Sequence, residues 1–238
     1  MDYTPSRLAR LTHAHAAYEL SDRLVSVACT HSDGYGRGAF LTEEAAQVLS
    51  DAQALLAAAV VADRLRGASW SEVGESLQIS KQSAHERFTS SERDFRDALL
   101  FPHRQSEHGG LGYTAAPYAV EAPDAVREQL DQWVVKQHRN SGPDHEQAEP
   151  VTRGLAAMRE SFTMDRTSEI LRLSQALIDH QLPAGVSYQH ARRRHAELKV
   201  ALYERMVNEN PDDTKIALQL MQARENLTAL KSTDQAAQ

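Results

Sequence analysis

An all-α fold is what this 238-residue chain predicts, on three observations. Nearly every segment with a clear apolar period repeats at the three-, four- or seven-residue spacings of a helix. Aromatic residues make up only 6% of the chain, which suits helices packed through Ala and Leu better than an aromatic-rich β-sandwich. Helix-start signals, a capping side chain followed by proline or acidic residues, precede several of those segments. The length fits one or two domains. A hydrophobic content of 41% can build a core, and 25% charged residues is ordinary.

The elements follow in order. Thr4-Pro5 reads as an N-cap with proline at the first helical position, where its missing N–H costs nothing. Leu8, Leu11, Tyr18, Val25 and Ala28 then form one stripe, up to a loop at Ser32-Asp33-Gly34. Thr42 with Glu43 and Glu44 opens a second helix, carrying Leu49, Ala52, Leu56, Ala59 and Val60 on one side and stopping near Gly67. From Phe101 to Pro123 glycines and prolines make a connector with no helical period, where a short strand at Gly112 to Val120 fits. Val126, Leu130, Trp133 and Val134 mark the next helix, and Asn140 to Pro150 reads as a flexible linker. Ile170, Leu173, Leu177 and Ile178 mark another helix. His195, Leu198, Leu202 and Met206 share a rhythm with Ile216, Leu220, Ala223, Leu227 and Leu230, a helical hairpin broken at Asn210-Pro211-Asp212-Asp213. There Asn210 reads as the cap of the last helix. The expected organisation is a helical domain at 1–100, a connector with one amphipathic helix at 101–150, and a hairpin or oligomerisation region at 151–238.

Composition excludes several classes of function. One cysteine, Cys29, allows neither an internal disulfide nor a zinc site of several thiolates. Of the eleven histidines, His13 and His15 are two apart and His190 and His195 five apart. Neither pair has the four-residue spacing that puts two imidazoles on one helical face, so no metal or cofactor is expected. No phosphate-binding glycine loop or nucleophile elbow is present, and catalysis is not expected. The longest uninterrupted apolar run, Ala54 to Ala62, is nine residues, short of the roughly 20 that span a bilayer. With no secretory signal pattern at the start, the expectation is a cytoplasmic, nucleoid-associated protein without a membrane partner. A net charge of −7 means that nucleic-acid binding has to be argued from a motif.

That motif is Gly67 to Phe88, GASWSEVGESLQISKQSAHERF. It reads as two short helices with a tight turn. Trp70 and Val73 face inward, Gly74 sits where the helices touch, Leu77 and Ile79 plug the turn, and Ser80 caps a second helix that turns Ala84 and Phe88 inward. Val73, Gly74, Leu77, Ile79, Ser80, Lys81 and Gln82 together resemble the helix-turn-helix of bacterial transcription regulators, including the promoter-reading region of sigma factors and actinobacterial helix-turn-helix regulators. The resemblance covers about residues 67–88. Two positions depart from the pattern: Gln78 stands where the turn usually has glycine, and Arg87 where a branched aliphatic is usual. The resemblance implies sequence-specific binding of double-stranded DNA, in transcriptional control or genome maintenance, with helix 80–88 in the major groove. Lys81, Gln82, His85 and Glu86 would face base edges, and Ser80, Ser83, Ser71 and Arg87 would reach phosphates. From Asp63 to Arg104 seven basic residues meet seven acidic ones. A homodimer on a two-fold site would supply the missing phosphate contacts. The alternative is a protein-interaction module docking on RNA polymerase or another regulator. The C-terminal hairpin offers a second surface for a protein partner.

Overall fold

Thr4 caps the first helix through its hydroxyl, which accepts from the Arg7 N–H at 3.2 Å, and Pro5 follows at the first helical position. This is the start of an all-α chain, seen in a computed structural model that describes residues 3–29, 38–104, 113–114, 116–138, 149–158 and 162–236. Its helices are α1 (Pro5–Ala28), α2 (Phe40–Leu65), α3 (Trp70–Leu77), α4 (Lys81–Leu100), α5 (Tyr118–Glu121), α6 (Pro123–His138), α7 (Pro150–Ala157), α8 (Phe162–Ile178), α9 (Tyr188–Glu209) and α10 (Thr214–Ala236). The one extended feature among the described residues is a two-residue antiparallel pairing of β1 (His103–Arg104) with β2 (Tyr113–Thr114). The strand suggested for 112–120 is therefore confined to two residues, and α5 occupies 118–121. The chain divides into two compact units, Met1–Leu99 with Ala116–Arg159, and Leu100–Ala115 with Glu160–Gln238.

In the first unit α1 and α2 lie side by side. Ala9 packs with Val61, Ala62 and Phe95 in one cluster, and Leu11 packs with Ala119, Val126, Leu130 and Leu155 in another. The apolar stripe of α1 is used as far as Tyr18, which packs against the second cluster, but not at Val25, which is 69% exposed. α2 starts two residues before the expected Thr42. Ala39 in the left-handed region (φ 70°) turns the chain into the helix without a side-chain cap. Leu49, expected on the packed side, is 60% exposed, whereas Leu56 and Val60 on the same stripe are covered. α2 is long and apolar enough, by length and composition alone, to cross a bilayer. The run of nine hid this because Ser50, Asp51 and Gln53 interrupt it. Asp51 pairs with Arg23 of α1 and accepts from Gln47 at 2.9 Å.

The amphipathic helix expected within a connector is instead part of the first unit's core. Val126 and Leu130 on α6 are among its fully buried side chains. Asp131, also on α6, caps α7 from outside: its carboxylate accepts from the N–H groups of Val151 (2.6 Å) and Thr152 (3.2 Å). The division expected at 100 and 150 thus shifts, because the stripe of α6 finds its partner in α1. Most of the expected linker, and the loop at 32–34, lie outside the described residues.

In the second unit Leu100 and Phe101 join Ile170 and Leu173 of α8 and Ala191, Leu198 and Leu202 of α9. Ser187 caps α9. The cap of α10 is Asp213, which accepts from Lys215 N–H (2.9 Å) and Ile216 N–H (3.2 Å), not Asn210. Asn210 instead ends α9, its N–H bonded to the Met206 carbonyl. The four-residue turn sets α9 and α10 antiparallel, with Leu220 and Ala223 buried and Arg224 paired to Glu204 at 2.8 Å.

Candidate nucleic-acid interface

The expected motif forms two helices about a three-residue turn. Ser69 and Glu72 make a capping box at the start of α3: Ser69 Oγ accepts from the Glu72 N–H (3.2 Å), and Glu72 accepts from the Ser69 N–H (2.6 Å). The helix ends on Gln78, whose φ of 56° and ψ of 37° put a non-glycine residue in the left-handed region. That conformation closes the turn by an Ile79 N–H bond to the Gly74 carbonyl at 2.9 Å. Gly74 is required by space, not by its dihedrals. A Cβ there would lie 2.8 Å from the Ile79 carbonyl oxygen and 3.2 Å from the Lys81 nitrogen, both backbone atoms. Ser80 then caps α4 by accepting from the Ser83 N–H at 3.0 Å.

The turn is held from below by α2. Val60, Val73, Ala84 and Phe88 are buried together, with Leu56, Ala57, Trp70, Leu77 and Ile79 packed around them. Phe88 supplies the late core contact, while Arg87 beside it is exposed with its guanidinium 5.1 Å from the Phe88 ring centroid. The second helix is not short: α4 runs 20 residues and continues through Phe95 and Ala98, both buried. Its first seven positions expose everything except Ala84.

The structure leaves most of the expected site residues exposed around the start of α4. Lys81, Gln82, Ser83, His85, Glu86 and Arg87 are all exposed there, and Ser71 is exposed on α3. Their side chains are partly committed to one another. Gln82 Nε2 donates to Glu86 Oε1 at 2.8 Å, so one carboxylate oxygen orients the amide. Ser80 Oγ lies 2.9 Å from Ser83 Oγ, and with the cap already made, Ser80 has little left for a phosphate. The His85 ring sits edge-on to Trp70, with centroids 5.3 Å apart at 81°.

No family model matches the chain, and no curated protein or solved structure does either. Its functional reading therefore rests on its own residues. Sequence spacing missed Arg64, whose guanidinium lies 4.4 Å from the Trp70 centroid. Nothing in the local pattern marks it, because it comes from the last turn of α2. Among the described residues no group of three or more His, Cys, Asp or Glu could hold a metal ion.

Proposed function

We propose that α3 and the first turns of α4 form a sequence-specific double-stranded-DNA-binding module, acting in transcriptional control or genome maintenance. The observation that carries this reading is the turn itself. A Cβ-free contact at Gly74 and a left-handed Gln78 hold α4 so that its first seven residues bury only Ala84. A helix that presents its N-terminal polar residues in this way suits the major groove. Gln82, oriented by Glu86, can pair with adenine's N6 and N7, and His85 can meet a neighbouring base edge. Lys81 and Arg87 supply charge for phosphates, and Ser83, Ser71 and the N–H groups opening α4 supply donors.

The charge balance between Asp63 and Arg104 makes one module a weak binder, since phosphate neutralisation carries much of the affinity. Two copies on a two-fold site restore it. The net charge of −7 favours a second reading, in which the same surface docks on RNA polymerase or another regulator.

Selection of bound fragments from random double-stranded DNA separates the two readings. The first expects an enriched, two-fold motif that vanishes in Lys81→Ala/Gln82→Ala while the far-UV circular dichroism stays unchanged. It also expects an affinity that falls steeply with salt. No binding at low ionic strength would remove the DNA reading.

A further inference from the structure

Arg64 is pinned from three sides. Its Nε donates to Glu92 of α4 at 3.1 Å, Nη1 donates to the Ala68 carbonyl, and its guanidinium plane covers Trp70. Glu92 is anchored in turn by Arg96 at 2.9 Å. Burial pushes the Glu92 carboxyl up, and the hydrogen bonds from Arg96 and Arg64 outweigh it, leaving the group below its ordinary value and charged. Trp70 is half-buried, with its indole packed against the Val60, Val73, Ala84 and Phe88 cluster and under the Arg64 guanidinium. His85 meets that ring edge-on while remaining exposed. An exposed histidine elsewhere on a helix surface samples several rotamers, and a base contact must immobilise one of them. Here a neighbouring ring offers one of them a contact.

We propose that Arg64 and Trp70 are positioning residues for His85, setting the direction of its imidazole at the groove face. They thereby fix the base preference at one position of the site without touching DNA. This rests on the DNA-binding reading above. The reasoning is preorganisation: a side chain held in its bound geometry loses less freedom on binding and discriminates more sharply between base edges.

Full-length wild-type protein and His85→Ala, Trp70→Leu, Trp70→Phe, Arg64→Met and Trp70→Leu/His85→Ala variants would be compared by selection from random duplex DNA. His85→Ala is expected to reduce discrimination at one base pair about 5-fold or more. Trp70→Leu should flatten the same position and leave the rest of the motif intact. The double variant should match His85→Ala alone, because two residues acting through one contact are not additive. Trp70→Phe should rescue most of the preference and Arg64→Met should weaken it. Uniform loss across all positions in Trp70→Leu, or a double variant worse than His85→Ala, overturns the proposal.

A measurement without DNA tests the contact itself, with circular dichroism checking that each variant is folded. In the free protein the His85 ring protons should carry an indole ring-current shift in the NMR spectrum, lost in Trp70→Leu and reduced in Arg64→Met. Its absence from the wild type overturns the proposal even if a motif is selected. A wild-type chain that shows the ring-current shift and selects no motif overturns the DNA reading, and the positioning role with it.

Discussion

The α3–α4 turn and the α9–α10 turn both join two helices over a few residues, yet they are specified very differently. The first has a capping box upstream, a side-chain cap downstream, a left-handed Gln78 and a glycine with no room for a methyl group. The second has one capping carboxylate, Asp213, and α10 buries only Leu220 and Ala223 among its described residues. Leu218 and Met221 on α10 stay about half exposed, whereas Phe88 and Ala84 on α4 are buried. A turn fixed by excluded volume has one solution. A hairpin fixed by a narrow apolar stripe has a seam and a bare back.

The largest test of that contrast is a pair of truncations. Phe88→Ala should cost about 3–5 kcal/mol, whereas Leu220→Ala, at the rim of its seam, should cost no more than about 2 kcal/mol. Both tryptophans, Trp70 and Trp133, lie in the first unit. Urea titration followed by tryptophan emission therefore reports the Phe88 variant, and circular dichroism reports both. Equal losses would break the comparison. Next comes Gly74→Ala, which should cost about 2 kcal/mol because the new Cβ overlaps backbone that cannot step aside. Gly154→Ala on α7 faces open space and should instead stabilise by about 0.5–1 kcal/mol.

A smaller effect sharpens the contrast from the other direction. Gln78→Gly should stabilise by about 0.5 kcal/mol, as relief of the left-handed strain exceeds the added freedom of the unfolded chain. In the second unit the His195 ring nitrogen Nε2 lies 2.8 Å from Ser174 Oγ across α8 and α9. Burial first, and the charge of Lys199 second, hold this imidazole below its ordinary value of 6.5. The unfolded chain then binds the proton more readily than the folded one. The associated stability is present above about pH 6.5 and is lost as pH falls from there toward the lowered folded value. Hydrogen exchange of α8 and α9 amides at decreasing pH would show the opening, and His195→Gln should flatten it.

How much of this was legible depended on whether the signal was local. Thr4-Pro5 set the start of α1, and the string from Gly67 to Phe88 contained its own caps, turn and core residues. Placement of α6 was not legible. Val126 and Leu130 announce an amphipathic helix, but nothing in their spacing says that Leu11, more than 100 positions earlier, will cover them. The capping pattern puts the start of α2 at Thr42, but the chain enters the helix earlier through Ala39, a left-handed residue that carries no sequence mark. Asn-Pro is a strong start signal and points to Asn210 as the cap of α10, yet Asp213, just before the helix, makes the hydrogen bonds. At the candidate site, exposure of Lys81, Gln82, His85 and Glu86 follows from helical period with Ala84 turned inward. Arg64 on Trp70 did not, since it needs the angle between α2 and α3.

The absence of room at Gly74 also bears on heredity. Every other amino acid carries a Cβ, so no coding change at this position is conservative, and a saturation library screened for stability should deplete all of them, alanine the least. Four residues away, at 78, the same screen should enrich glycine and asparagine over the resident glutamine. A single turn would then hold one position closed to variation and another still open to improvement.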